Sequence, residues 1–242
     1  MAAPSSSSAS EKDEFHVRPE LFAPSRFAPR VYELHRTRAL VTDVIAQQCW
    51  ALVLVLAKLH RCIGKPQSLP RVGIIGAGHV GTAVAMALLN AQYPAQRIVI
   101  STRQPDRVLR CDALATPAQQ KRFQEIHRVY DNVRVSRGVD LLILCMPSSQ
   151  LKSVSMQIKH ALSVSDSTTV VLSVLSGTTL DMLQKSCGSR LVLRTTIDVP
   201  DLARRLAALE SPQALDALHR DAFRLALDGL RTSPCAAAFA AL

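Results

Sequence analysis

The segment Arg71-Val-Gly-Ile-Ile-Gly-Ala-Gly-His-Val-Gly81 constrains this chain more than any other. It places G-x-G-x-x-G directly after an apolar run and directly before a helical one, TAVAMALLNAQ. Each glycine has its own physical task in that setting. Gly76 permits the tight turn from strand to helix, Gly78 lets backbone N–H groups approach a diphosphate, and Gly81 lets the helix lie close on the strand. The start of the helix adds unpaired N–H donors and a partial positive charge. The alternative is a glycine-rich turn of an α/β fold that binds nothing; the strand before and the helix after are what raise the motif above a chance match. His79, within the motif, reads as a loop residue near the phosphates rather than a catalytic base.

From Arg71 onward, short β-type runs alternate with helical stretches. The predicted strands are Val72–Ile75, Arg97–Ser101, Val133–Val135, Asp140–Met146, Thr169–Val174 and Arg190–Arg194, with helices over Val80–Gln92 and Gln150–Ala161. Such alternation implies a parallel sheet covered on both faces. The runs DLLILCM and VVLSV are almost wholly apolar, as strands buried on both sides are. Aromatic residues make up only 4% of the chain, so Ala, Leu and Val must fill the core, which suits a helix-coated sheet better than an aromatic-rich sandwich. The expected fold is therefore α/β, a doubly wound, mainly parallel Rossmann sheet over residues 71–200.

The flanks read differently. Residues 1–30 are rich in Ser, Pro and Ala, then charged, and form a tail with little to bury. Over 31–65 a leading helix is expected, because Leu40, Val44, Ala51, Leu52, Val55 and Leu59 recur at three- and four-residue spacing on one stripe. Gly64, Lys65, Pro66 and Pro70 stop it. Residues 201–242 read as a short helical segment. Ser211 and Pro212 make a good helix start, Leu215, Leu218, Ala222 and Leu225 form a stripe, and Gly229 is a terminator.

Several function classes recede. The longest uncharged apolar run, Val44 to Ala57, falls short of the roughly 20 residues of a bilayer-spanning helix, so no membrane span is expected. A buried helix is the primary reading of that run and an interfacial one the alternative. The first residues lack a basic start followed by an apolar run, so they do not read as a secretory signal. Cys49, Cys62, Cys111, Cys145, Cys187 and Cys235 are scattered and show no C-x-x-C pair. They read as reduced thiols of an intracellular, cytoplasmic protein. The histidines show no paired ligand spacing, so no metal is expected. The net charge of +10 invites anionic partners. Without a motif or an aromatic-basic surface it indicates no specific nucleic-acid partner.

The end of the second strand selects the cofactor. An NAD site usually carries an Asp or Glu there, bonding the ribose 2′-OH. Here RIVIS ends at Ser101, followed by Thr102 and Arg103, and no acid occurs before Asp106. Hydroxyls and a guanidinium would accept a 2′-phosphate that a carboxylate would repel. The expected cofactor is NADP(H), with Arg107 available for the adenine; the alternative is that these arginines are solvated surface residues.

The segment GIIGAGHVGTAVAMALL, the Ser-Thr-Arg after strand two and the later VVLSVLSGTTLDML resemble pyrroline-5-carboxylate reductases and their relatives, which include a deazaflavin-dependent NADP reductase domain. The resemblance covers about residues 70–200. It implies that Gly76, Ala77, Gly78, His79 and Val80 hold the diphosphate and that Ser101, Thr102 and Arg103 hold the 2′-phosphate. It also implies that Cys145, Met146 and Pro147 line the nicotinamide ribose, with Ser173, Ser176 and Gly177 at the next strand end. Met146 replaces a lysine of the family. The family's Met-Pro-Asn-Thr-Pro is Thr-Thr-Ile-Asp-Val-Pro here, keeping only Pro200, and 201–242 does not visibly match the helical domain that builds the imine site and the dimer.

Two functions are thus expected to compete. One is an NADP(H)-dependent oxidoreductase transferring hydride to or from a small C=N or C=O substrate. The other is a non-catalytic NADP(H)-binding or interaction protein without a complete substrate domain. A homodimer paired through Leu215, Leu218 and Leu225 would supply the missing wall. Asp140 reads as structural, and Cys145 as a small buried residue rather than a nucleophile.

Overall fold

Every residue of β1 (Val72–Ile75) and β4 (Leu141–Leu144) is buried, so these two strands form the middle of the middle layer. The structure, a computed structural model, describes residues 29–63, 69–106, 112–163, 168–195, 197–208 and 212–231. The other strands are β2 (Ile98–Ser101), β3 (His127–Val129), β5 (Val170–Ser173) and β6 (Val192–Arg194). All pairs are parallel, in the order β3-β2-β1-β4-β5-β6. Ile74 sits opposite both Ile100 and Ile143, which fixes the register at the centre. The order reverses between β1 and β4, so the connections leaving them diverge and open a crevice beyond their carboxyl ends. This is the doubly wound Rossmann arrangement expected from the alternating pattern.

Side chains alternate between two helical layers. On one face Val72, Ile74, Ile98, Ile100, Leu141 and Ile143 meet α1 (Pro29–Cys62), α2 (His79–Asn90) and α3 (Pro117–Gln124). On the other, Ile75, Leu142, Leu144 and Val171 meet α4 (Asn132–Ser136), α5 (Leu151–Leu162) and α6 (Leu180–Cys187). At the amino end of the sheet Asp140 accepts the Arg71 N–H at 2.6 Å and lies 3.7 Å from His60 Nε2. That carboxylate is structural, at the end of β4 opposite the crevice.

The strand predicted over Val133–Val135 is instead helix α4. Asp131 caps it by accepting the Val133 N–H at 2.8 Å, a local bond that outweighs the alternating valines. The third strand lies earlier, at His127–Val129, and its polar sequence is that of an edge strand. Helix α3 begins in a capping box: Thr116 accepts from the Gln119 N–H while Gln119 bonds back to Thr116, with Pro117 in the first turn.

Helix α1 joins two cores. At 1.5 Å per residue it is about 50 Å long. Ala46, Cys49, Leu52 and Val53 pack on the sheet layer. Leu40 and Val44 instead pack with Leu202 of α7 (Val199–Ala207) and Ala222 and Ala226 of α9 (Ala222–Arg231). Of the predicted stripe, Leu40, Val44, Ala51 and Leu52 are buried, whereas Leu59 is exposed. Leu218 of α8 (Pro212–Arg220) and Leu225 flank the α1–α7–α9 cluster, and His219 Nδ1 lies 2.5 Å from Asp43 Oδ2 on α1.

Among the described residues, the expected short helical C-terminal segment comprises α7, α8 and α9, with α7 and α9 packed on α1. Gly229 does not terminate a helix but lies within α9. Ser211 and the residues before Pro29 lie outside the described ones. Thr37–Cys62 is long and apolar enough to cross a membrane by length and composition, with mean hydropathy 1.8. The uncharged run alone was too short for that. Half of the most apolar 18-residue stretch of Thr37–Cys62 is buried inside the protein.

Leu40 is fully buried between α1 and the C-terminal helices. Leu40→Ala is expected to cost about 2–5 kcal/mol in chemical denaturation. Leu59→Ala, at an exposed site, should stay within about 0.5 kcal/mol of the parent.

Candidate functional site

The glycine turn is built from backbone approach. Gly76 has φ +102, a conformation that strains any L side chain. A Cβ on Gly81 would stand 1.9 Å from the Gly76 carbonyl oxygen and 3.3 Å from Cys145 Cβ. Only glycine fits there. A Cβ on Gly78 would meet nothing within 4 Å. The space above Gly78 is therefore open, and α2 begins at this residue with no side chain capping it. The first-turn N–H groups of a helix have no acceptor within the helix itself.

The opening continues into a cleft of about 1200 Å³ at the carboxyl ends of β1, β2, β3 and β4. Gly76, Ala77, Gly78, Ser101, Thr102, Arg103, Cys145, Met146 and Pro147 all line it. The structure thus brings nine of the residues singled out in the sequence to one cavity. His79 and Val80 open α2 immediately behind and contribute backbone to the loop rather than cavity wall.

The end of β2 is held from both sides. Gly76 N–H donates to the Ser101 carbonyl at 3.1 Å, and Thr102 N–H donates to the Val129 carbonyl at 2.8 Å. Ser101 is 3% exposed. The Thr102 hydroxyl accepts the Gln104 N–H at 3.3 Å, which turns the chain so that Arg103 is exposed at the rim. Arg107 lies outside the described residues.

On the β4 side, Cys145 N–H donates to the Ile75 carbonyl at 2.8 Å. Burial pushes the Cys145 thiol up to about 12, with no cation to oppose it, so it is a small packing group and not a nucleophile. Met146 is buried and offers no charge where the family carries lysine. Ser173 is buried, and its hydroxyl accepts the Leu175 N–H at 3.2 Å. Ser173, Ser176 and Gly177 do not line the cleft.

Residues the sequence reading passed over complete the wall. Arg128 and Phe123 stand on the β3 side, and Asn132, Gln150, Ser153 and Gln157 on the α4–α5 side. Asn132 Nδ2 donates to Gln157 Oε1 at 2.7 Å, joining α4 to α5. Their signal was hidden by the misplaced third strand, which moved the strand end away from Tyr130.

Two outcomes follow from this geometry. Gly81→Ala should destabilise the domain by at least about 1–3 kcal/mol, because the clash is with backbone. Gly78→Ala should cost under about 1 kcal/mol. Thermal and chemical unfolding compare the two. In alkylation at pH 8, Cys145 should stay unlabelled, since a thiol at about 12 is ionised to roughly one part in ten thousand there. Exposed Cys62 should label quickly, read by peptide mass.

Residues 71–177 match the family model of NADP oxidoreductases described as coenzyme F420-dependent. A search of the curated proteins finds no match. Among solved structures, the chain is similar to a pyrroline-5-carboxylate reductase from Coxiella burnetii, at 19% identity and TM-score 0.40, over 72% of this chain and 76% of that one. It is similar to the Plasmodium falciparum pyrroline carboxylate reductase with NADP bound, at 16% identity and TM-score 0.42, over 71% and 65%. A glycerol-3-phosphate dehydrogenase from Saccharomyces cerevisiae is similar at 15% identity and TM-score 0.41, over 56% and 44%. The family match covers the glycine loop, the acid-free end of β2 and the strand end at Cys145. The match spans residues 71–177, and the NADP in that family's description is the cofactor the sequence around Arg103 called for.

Proposed function

We propose that the chain binds NADP(H) along the cleft and works as an oxidoreductase on a small C=N or C=O substrate. The observation that carries the reading is the open space over Gly78 in front of an uncapped helix start, continuous with a β2 end that has no carboxylate before Asp106. Backbone N–H groups of Gly76, Ala77, Gly78, His79 and Val80 would hold the diphosphate. Thr102 and Arg103, with Ser101 beneath them, would hold the 2′-phosphate. Cys145, Met146 and Pro147 would form an apolar bed for the nicotinamide ribose. The cofactor, when bound, supplies or accepts the hydride. The protein's part is to orient it and to keep water from the face lined by Met146. Free thiols at Cys49, Cys62, Cys145 and Cys187 suit a reducing compartment, and we place the protein in the cytoplasm.

A second reading is a binding protein that holds NADP(H) without turnover. One observation favours it: among the described residues, none of α7, α8 or α9 lines the cleft, and they pack on α1 instead. Leu218 and Leu225, which a homodimer was expected to use, lie against that same cluster. A second copy would have to complete the substrate wall through other residues.

Calorimetric titration with NADPH and NADH tests the cofactor assignment. NADPH should bind at least about tenfold tighter, the worth of one charge-assisted bond. Arg103→Ala should narrow the gap, whereas Gly78→Ala should weaken both cofactors alike. Equal affinities in the parent would overturn the assignment. NADPH oxidation against a panel of cyclic imines and carbonyls then separates the readings. Turnover lost with Gly78→Ala identifies the enzyme, and tight binding without turnover on any panel member identifies the binding protein.

A further inference from the structure

The cleft carries a second guanidinium that the glycine loop and the β2 end do not account for. Arg128 is the middle residue of edge strand β3 and pairs in register with Ile100, next to the Ser101–Val129 pair. It lines the same cavity as Thr102 and Arg103. Its Cζ stands 6.0 Å from the ring centroid of Phe123, a buried residue of α3. The ring gives the cation a π face and limits how the guanidinium can swing.

The other half of the observation is electrostatic. Arg128 Nη1 is buried from solvent and has no hydrogen-bond partner. An N–H donor of a charged group, cut off from both water and acceptor, is among the costlier things a fold can retain. Asp131, three residues further on, accepts the Val133 N–H and caps α4. The strand does not need the charge either, because backbone bonds such as Thr102 N–H to the Val129 carbonyl hold the β2–β3 pair. The side chain is half-buried, stands over Phe123 and lines the cleft beside Thr102 and Arg103, so an anion in the cleft meets a cation already held in place. The group that would reach this corner is the one held by Thr102 and Arg103 across the neighbouring strand end.

We propose that Arg128, seated on Phe123 at the end of β3, is a second anchor for the adenosine 2′-phosphate and a determinant of NADPH over NADH. The inference rests on the NADP(H) reading above. Arg103 then supplies an exposed, adjustable contact from the β2 side, and Arg128 a partly buried one from the β3 side. Bracketing a phosphate between two guanidinium groups gives both charge and direction.

The test uses the full chain and two fragments that differ only in the phosphate, 2′,5′-ADP and 5′-ADP. Arg128→Met keeps an apolar stem over Phe123 and removes the charge; Arg128→Gln keeps a donor and removes the charge. Thermal melts establish which variant is folded, and either one suffices. The expected result is a loss of about tenfold or more in affinity for 2′,5′-ADP, with 5′-ADP changed less than about twofold. NADPH and NADH should divide the same way. Equal losses for both fragments, or discrimination kept in full, would overturn the inference. A parent protein that does not discriminate the fragments overturns the NADP(H) reading and this inference together. A parent that discriminates, loses discrimination with Arg103→Ala and keeps it with the Arg128 variants overturns this inference alone.

Discussion

The structure turns on one backbone approach, that of Gly81 to the Gly76 carbonyl oxygen. A Cβ at position 81 would stand 1.9 Å from that oxygen, so the first turn of α2 lies as close to the end of β1 as a helix can. The rest of the cleft follows from it. Cys145 Cβ would also lie only 3.3 Å from a Cβ on Gly81. The Met146 N–H group crowds Gly76, with only 3.0 Å to a Cβ there, so the turns after β1 and β4 interlock. The two halves of the doubly wound sheet meet at this contact, and the floor of the cleft is set by atoms with little freedom to move. Such a floor can present backbone donors to an anion without reorganising when the anion arrives.

What could be read from the sequence was what local chemistry decides. The path β1–glycine turn–α2 needs three glycines at fixed spacing, and the buried strands announce themselves as apolar runs. The third strand could not be found that way. Its residues, His127 to Val129, include two polar ones, as an edge strand with a solvated side permits. The valines at 133 and 135 imitate a strand, but the bond from Val133 N–H to Asp131 starts a helix there. That single exchange displaced the strand end by several residues and hid Arg128, Asn132 and the wall they belong to. The capping box at Thr116 was legible in principle, since Thr, Pro and Gln stand at the offsets that open a helix.

Partner choice among apolar stripes is a different limit. The spacing of Leu40, Val44, Leu218 and Leu225 shows that each lies on an amphipathic helix face, and says nothing about which face meets which. The structure pairs α1 with α7 and α9 in the same chain. Only contacts far apart in sequence settle this, such as His219 with Asp43, and no local pattern records them. The consequence is functional. Among the described residues, the helices packed on α1 do not line the cleft, whose walls come from the glycine turn, the strand ends and the α4–α5 side.

That arrangement also explains where the basic residues matter. Net charge alone draws anions without choosing among them. Selection requires a cation whose position is fixed and whose donors are short of acceptors. At the rim Arg103 is exposed and hydrated, so its attraction for a 2′-phosphate is offset by the water it gives up. Arg128 has already lost that water at Nη1 and stands against Phe123. A guanidinium partly desolvated before binding gives up less hydration to the same phosphate than a fully exposed one. The edge strand that was hardest to recognise in the sequence thus carries the guanidinium proposed to tell the two nicotinamide cofactors apart.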